Sequence, residues 1–370
     1  MRHFNGYLRN DGSVGTRNFI GIVSSVICSS IVVNEVSREV ESAIPIVHSN
    51  GCAQLGDDFK TTKNMLVGVA TNPNLYASLL IGLGCETNQI SGLLKSIPKI
   101  KPLKGIGIQQ LAGGSNTIES GISIANKWND EIKQENRVSV PISKLNIGIA
   151  TIDVDEDSLL QMAPIINRVV KLLTDSEVNV VFGLTDTMES AGDILLNNTD
   201  NNELKQKLNK ASQGSNKKRW KTVKDYSNSD FTKQEKLLGE REIELIGKTK
   251  INNILEYNGT FNDQGLYLMK SSQNIAETLS GFSSVGCNMS IILSRRGVFS
   301  GSISMPSMTI CSEKDKSINE FVDYKINKKP VDEQAEEIIE KILSYASGEK
   351  TVLEEFELGD FSIPHVGTTF

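Results

Sequence analysis

Excess basic charge, long apolar runs and histidine are scarce in this sequence, and each shortage narrows what the chain can do. Its 370 residues carry 39 Lys and Arg against 45 Asp and Glu, a formal net charge of −6, with the lysines spread through polar segments. That leaves no electrostatic footprint for DNA or RNA. No stretch approaches the ~20 consecutive apolar residues that a membrane helix needs. The opening MRHFNGYLRNDGSVGTRNF has no apolar signal-peptide core. A cytoplasmic protein off the membrane is expected. Five cysteines, an odd number at irregular spacing, argue against a disulfide framework and leave buried thiols, metal ligands or reactive thiols. Of the three histidines, His3 lies near a terminus and His365 in the closing SIPHVG run, so only His48 is placed for chemistry.

What is present describes an ordinary globular protein: 38% hydrophobic, 23% charged, with 30 glycines, and long enough for two domains. NFIGIVSSV (18–26), IPIVHS (44–49), ASLLIGLG (77–84) and KGIGIQQL (104–111) read as buried strands, short and rich in Ile, Val and Leu. Between them, SIVVNEVSREVESA (30–43) and QISGLLKSI (89–97) place their apolar residues at helical spacing. Such alternation predicts an α/β fold: parallel sheets covered by helices on both faces. Ligands then bind at the carboxyl ends of the strands, where the loops after Ser49 and Gly84 emerge.

A first α/β domain over 1–143 is followed by a second over 144–370, beginning at KLNIGIATI after a polar stretch. FGLTDTMESAGDIL (182–195) echoes IGLGCETNQISGLL (81–94), which reads as a distant internal duplication. From 197 to 234 the chain turns polar, a surface excursion with few core-forming residues and part of it expected to be disordered. Further strands are expected at 249–257, 265–270, 289–297 and 307–312, then a closing helix at 332–348 stopped by Gly348.

FNGYLRNDGSVGTRNFIGIVSS (4–25), His-Ser-Asn-Gly-Cys (48–52), GLGCETNQI (82–90) and QQLAGGSNT (109–117) resemble the amino-terminal half of the catalytic region of altronate and galactarate dehydratases. EKLLG (235–239), LEYNGTFNDQGLYLM (255–269), SRRG (294–297) and the closing segment resemble its carboxyl-terminal half. The resemblance spans nearly the whole chain. It implies a carbon–oxygen lyase dehydrating a sugar acid, dependent on a divalent metal, Fe2+ above all, with an iron–sulfur cluster as the other form the iron could take. It also implies a homo-oligomer and a separately encoded small SAF-domain subunit, because the chain begins without that accessory domain, as the sulfolactate sulfo-lyase large subunit does. One departure stands out. The family's Gly-Leu-Gln-Cys-Gly-Gly-Ser-Asp-Gly is here Gly183-Leu184-Thr185-Asp186-Thr187-Met188-Glu189. Two further readings therefore stand beside the hydro-lyase: a carbon–sulfur lyase acting on sulfolactate, and a non-catalytic ligand-binding homologue that has lost part of the site.

Dehydration removes a weakly acidic proton beside a carboxylate, so the chemistry needs a base, an acid and a cationic stabiliser of the enolate. His48, at a strand end before Asn-Gly, is the first candidate for ligand or base. Glu86 is the second acid–base candidate, its bland counterpart being a helix N-terminal carboxylate. Cys52 and Cys85 follow strand ends and read either as soft-metal ligands, with His48 and with Asp186 where the family has a cysteine, or as small buried residues. Cys28, Cys287 and Cys311 lie in or beside apolar runs and read as core. For the substrate's carboxylate and hydroxyls, Arg17, Arg295 and Arg296 offer guanidinium forks, and Gly113, Gly114, Ser115 and Asn116 a turn and helix start. The bland readings are ion pairs and an ordinary turn.

Overall fold

The apolar runs form strands because β-branched and leucine side chains are buried on both faces of parallel sheets. The protein's structure, a computed structural model, describes residues 2–209, 229–312 and 321–365. The chain opens with β1 (His3–Leu8) and β2 (Val14–Gly15). It then enters β3 (Phe19–Ser24), α1 (Ser30–Arg38), β4 (Ala43–Ile46), α2 (Gly56–Thr71), β5 (Leu75–Gly82), α3 (Ile90–Ser96), β6 (Leu103–Gly107) and α4 (Gly114–Ile132). Strands β4-β3-β5-β6 form an all-parallel sheet in that order. The two-residue period of each strand divides its faces. Ile20, Ile22, Leu79 and Ile81 pack with Val32 and Val36 of α1 and Ala125 and Trp128 of α4, whereas Val23 and Leu80 pack with Met65, Leu66 and Val69 of α2 and Leu93 of α3.

Strand β7 (Val138–Pro141) returns to pair antiparallel with β1, closing a small sheet with β2. The second large sheet follows: β8 (Asn146–Ile152), α5 (Glu156–Asp175), β9 (Asn179–Leu184) and the short helices α6 (Asp186–Ser190) and α7 (Gly192–Leu195). A helix at 202–209, α8, precedes α9 (Ser229–Glu244), β10 (Ile251–Leu255), β11 (Leu266–Lys270), α10 (Ile275–Ser284) and β12 (Met289–Ser294). The chain ends through β13 (Gly301–Ser302), β14 (Ser307–Cys311), β15 (Tyr324–Lys325), α11 (Val331–Ala346), α12 (Val352–Glu355) and β16 (Gly359–Asp360). Seven of these strands, β10-β11-β9-β8-β12-β14-β15, make a second all-parallel sheet. One face meets α5 and α11 through Ile147, Ile149, Leu159, Ile166, Ile338 and Ile342. The other meets α10 through Ala150, Val181, Ile292, Leu279 and Phe282.

The α/β expectation with helices on both sheet faces is met. The segments 81–94 and 182–195 are each strand, turn and helix, while the two sheets differ in strand number and order. The excursion is less bare than its composition suggests: Leu204 and Leu208 of α8 are buried in the core of the second sheet. Its stretch 210–228 lies outside the described residues. Gly348 does stop the closing helix, with φ 116°, a left-handed value that suits glycine.

Candidate active site at the carboxyl edge of the first sheet

Three neighbouring strands, β4, β3 and β5, release their loops at the same sheet edge, and each loop carries a cysteine. Cys28 sits in the single 3-10 turn Ile27–Ser29 after β3, Cys52 in the loop after β4, and Cys85 in the loop after β5. The loops are stitched together: the Ile27 amide donates to the Asn50 carbonyl at 3.0 Å, and the Thr87 amide to the Cys52 carbonyl at 3.3 Å. Desolvation first, then the neighbouring Cys28 and Cys85 thiols, push the Cys52 thiol up to about 11. Cys28 and Cys85 are exposed. Cys28 was expected in the core with Cys287 and Cys311. Those two are buried, but Cys28 is not, because β3 has already ended and its turn faces outward. The signal was in the sequence: a strand, a cysteine and a polar pair, the same order that surrounds Cys85.

His48 lies 6% exposed beside this edge, and both of its ring nitrogens are engaged. The Asn50 amide can only donate, at 3.1 Å, so Nδ1 is the acceptor and Nε2 carries the proton, which it donates to the Ser24 carbonyl at 3.1 Å. Desolvation lowers the imidazole to about 4, and it is neutral at pH 7; His365, from the closing segment, adds to that lowering from within electrostatic range. His48 thus ties the 48–50 loop to β3. Ligating a metal through it would break one of these bonds.

Glu86 is 3% exposed. Its carboxylate accepts the Ser25 hydroxyl at 2.9 Å and the Gly84 amide at 2.6 Å. Gly82 makes room: a Cβ there would lie 2.1 Å from Glu86 Oε1. The carboxylate therefore fastens the Cys85 loop and forms a buried dyad with a hydroxyl. The turn into α4 reaches the same region, with Gly114 against Val32 in the first turn of α1. Gly113 has φ 135°, and a Cβ on it would meet nothing within 4 Å. Asn116 turns its amide back onto the Leu111 carbonyl at 2.9 Å, and Ser115 is exposed. The Gly113–Asn116 turn thus opens a 19-residue helix with no side-chain cap on its first amides.

The remaining candidates lie elsewhere. Arg17, buried, forms a fork with Glu354 at 2.7 Å through Nε and Nη2 and donates to the carbonyls of Thr16, Tyr345 and Glu349. Its donors are committed to clasping the chain's start to its end. Arg295 pairs with Asp155 at 2.9 Å, and the half-exposed Arg296 stands 4.0 Å from Asp153, both beyond the carboxyl end of β12. Asp186 follows β9 and pairs with Lys270 at 2.6 Å, so it belongs to the edge of the second sheet and not to the group around Cys52. That edge has its own crevice of about 230 Å³, lined by Thr151, Asp153, Thr185, Asp186 and Glu242 among others. Glu242, which the sequence did not single out, is buried, and its carboxyl is raised by desolvation against hydrogen bonds from the Thr187, Thr185 and Thr151 hydroxyls. Among the described residues, no group of three or more His, Cys, Asp or Glu side chains is placed to hold a metal ion. No described helix is long and apolar enough to cross a membrane.

Comparison with known proteins places the whole arrangement. Residues 6–133 match the family model described as D-galactarate dehydratase/Altronate hydrolase, second domain, and residues 142–369 match D-galactarate/Altronate dehydratase, C-terminal. The altronate dehydratase of Bacillus subtilis (strain 168) is 23% identical over 100% of this chain and 78% of that protein. The altronate dehydratase of Escherichia coli (strain K12) is 24% identical over 98% of this chain and 78% of that protein. The (2R)-sulfolactate sulfo-lyase subunit beta of Chromohalobacter salexigens is 24% identical over 95% of this chain and 94% of that protein.

Proposed function

The chain belongs to the D-galactarate dehydratase/altronate hydrolase family, and from that premise we propose that it is a metal-assisted hydro-lyase that dehydrates a sugar acid of the hexonate or hexarate class. The observation that carries the reading is that both family regions are present and that the first folds Cys52, Cys85, Glu86 and the Gly113–Asn116 turn onto one sheet edge. The substrate's carboxylate suits the uncapped amides at the start of α4, where backbone N–H groups and the helix dipole favour an anion. Glu86, hydrogen-bonded by Ser25, moves the proton, and neutral His48 holds the loop that carries Cys52. An iron bound at Cys52 and Cys85 would supply Lewis acidity to the developing enolate. In the balanced reaction, the C–H beside the carboxylate gives up its proton, hydroxide leaves the next carbon as water, and the enol becomes a 2-keto-3-deoxy acid.

A carbon–sulfur lyase is the second reading, favoured by the 94% coverage of the sulfo-lyase subunit. Its name as a subunit makes a separately encoded small partner the natural addition to the assay. Anaerobically purified, iron-supplied protein, alone and with such a partner, is incubated with hexonates, hexarates and sulfolactate, and 2-keto-3-deoxy acid and sulfite are measured. Keto acid formed from a sugar acid, and lost at least about 100-fold in Glu86→Gln, is the expected result. Sulfite alone moves the assignment to the sulfo-lyase. No product from any acid points to a binding homologue and ends the enzymatic reading.

A further inference from the structure

We propose that a cavity at the amino edge of the first sheet, between Arg9 and Lys101, is a binding site for a small oxyanion, a carboxylate or phosphate group. It lies at the opposite end of β5 from the Cys85 loop, roughly 25 Å away along an eight-residue strand. The inference is therefore independent of the hydro-lyase reading. The cavity measures about 180 Å³ and is walled by the β1–β2 hairpin, the turn from α2 into β5, the loop leading into β6 and the segment after α4. That is below the roughly 300–1,000 Å³ of sites for drug-sized ligands, so the ligand is compact.

Two cations from different segments converge there. Arg9 donates from Nε to the Pro73 carbonyl at 2.8 Å and from Nη2 to the Arg17 carbonyl at 3.3 Å. Lys101 donates from Nζ to the carbonyls of Asn72 at 2.6 Å and Leu75 at 3.0 Å. All four acceptors are neutral. Gly15 is what lets Arg9 in, since a Cβ there would fall 2.9 Å from Arg9 Nη2. A guanidinium has five N–H groups and an ammonium three. After these bonds Arg9 keeps three, both of those on Nη1 included, and Lys101 keeps one. Both side chains are partly exposed, and both line the cavity. Desolvation lowers Arg9 to about 10 and Lys101 well below its ordinary value, and the charge of Arg9 lowers Lys101 further.

Negative charge stands at the rim instead. Asp11 and Glu135 also line the cavity but are exposed, where solvent screens them. Asp11 already accepts the Ser13 amide and hydroxyl at 3.0 and 2.7 Å. The carbonyl of Asn72, the C-cap of α2, is covered by Lys101. An oxyanion seated between the cations takes the free Nη1 and Nη2 donors of Arg9 and the third proton of Lys101. It offsets their repulsion and desolvation together, which neither a cation nor an apolar group does.

The test uses the full chain in Tris chloride, titrated by calorimetry with sodium phosphate and separately with sodium acetate. Sodium chloride at matched ionic strength is the blank. Wild type should bind one oxyanion here and gain thermal stability with it. Arg9→Gln and Lys101→Gln should each bind at least about 10-fold more weakly, the usual effect of losing a charge-assisted hydrogen bond. Both side chains also hold backbone carbonyls, so the exposed Glu135 supplies variants that leave the fold intact. Glu135→Gln should tighten binding about 2–3-fold, and Glu135→Lys further, as an exposed charge acting through water does. Phosphate bound without acetate supports the site as one for a phosphoryl group, and the reverse as one for a carboxylate. Binding of both supports a general oxyanion site. No binding of either beyond the chloride blank overturns the proposal. Affinity that stays the same across the Glu135 series and in folded Arg9→Gln also overturns it, because the anion then sits elsewhere, the start of α4 included.

Discussion

Burial makes His48 a base that cannot take up a proton without cost. Its ordinary value of 6.5 is lowered to about 4 in the fold, so between these limits the unfolded chain binds a proton that the folded chain does not. Stability from this group is therefore complete above about pH 6.5 and is lost as pH falls toward 4. The gap corresponds to about 3 kcal/mol at about 1.4 kcal/mol per unit. Urea denaturation of wild type should show this acid-side decline, and His48→Gln should be less stable at pH 7 but flatter between pH 7 and 4. Parallel slopes in the two proteins would show that the imidazole is not what titrates. Arg17 makes the complementary point. A guanidinium that satisfies a carboxylate and three carbonyls is a structural cross-tie, so Arg17→Ala should cost about 3–5 kcal/mol by stranding Glu354. Arg17→Lys should not restore it, because lysine lacks the fork. A stable Arg17→Ala protein with a raised KM would instead return Arg17 to the substrate.

At the scale of elements, the EKLLG segment shows why a motif can be structural. Gly239 lies on α9 where a Cβ would fall 2.0 Å from the Thr187 carbonyl of α6. The helices therefore touch backbone to backbone, and the contact carries Glu242, one turn further on, into the Thr151, Thr185 and Thr187 hydroxyls. Gly239→Ala should force the helices apart and cost about 1–3 kcal/mol, as overpacking does. Thermal denaturation checks this; an unchanged midpoint would mean that α6 moves freely. Strands such as β3, β5, β8 and β12 were legible because runs of Ile, Val and Leu between polar stops admit little else. Helix α2 was not named from the sequence, and of α4 only the start at Gly113–Asn116 was. In α2 the apolar run MLVGVA is crowded into the second half, and in α4 Ser, Asn and Gly interrupt the helical spacing. The loops bearing Cys52, Cys85 and Glu86 were legible as strand ends. The company of Cys28 was not, because which strands are neighbours is decided by the order β4-β3-β5, and a linear pattern does not give that order.

Across the whole molecule, the two sheets are joined by asparagines at the amino ends of their strands rather than by an apolar seam alone. Asn74, fully buried, accepts the Thr16 and Arg17 amides on one side and donates to the Asn288 and Ser304 carbonyls on the other. Asn288, equally buried, accepts the Asn146 amide and donates to the carbonyls of Val14 and Lys144. Asn72 adds bonds to the carbonyls of Ser283 and Cys287. An amide side chain fits here because it can donate and accept at once, and so satisfies backbone groups of both sheets in a place that water does not reach. Removing one such side chain orphans several backbone groups, each costing about 1–3 kcal/mol, although relaxation makes the total less than the sum. Asn74→Ala should therefore weaken both sheets together. Native-state hydrogen exchange should show amides of β3 and β5 and amides of β8 and β12 losing protection by similar free energies. Loss confined to the first sheet would mean that the two sheets open as separate units and that Asn74 serves only its own side.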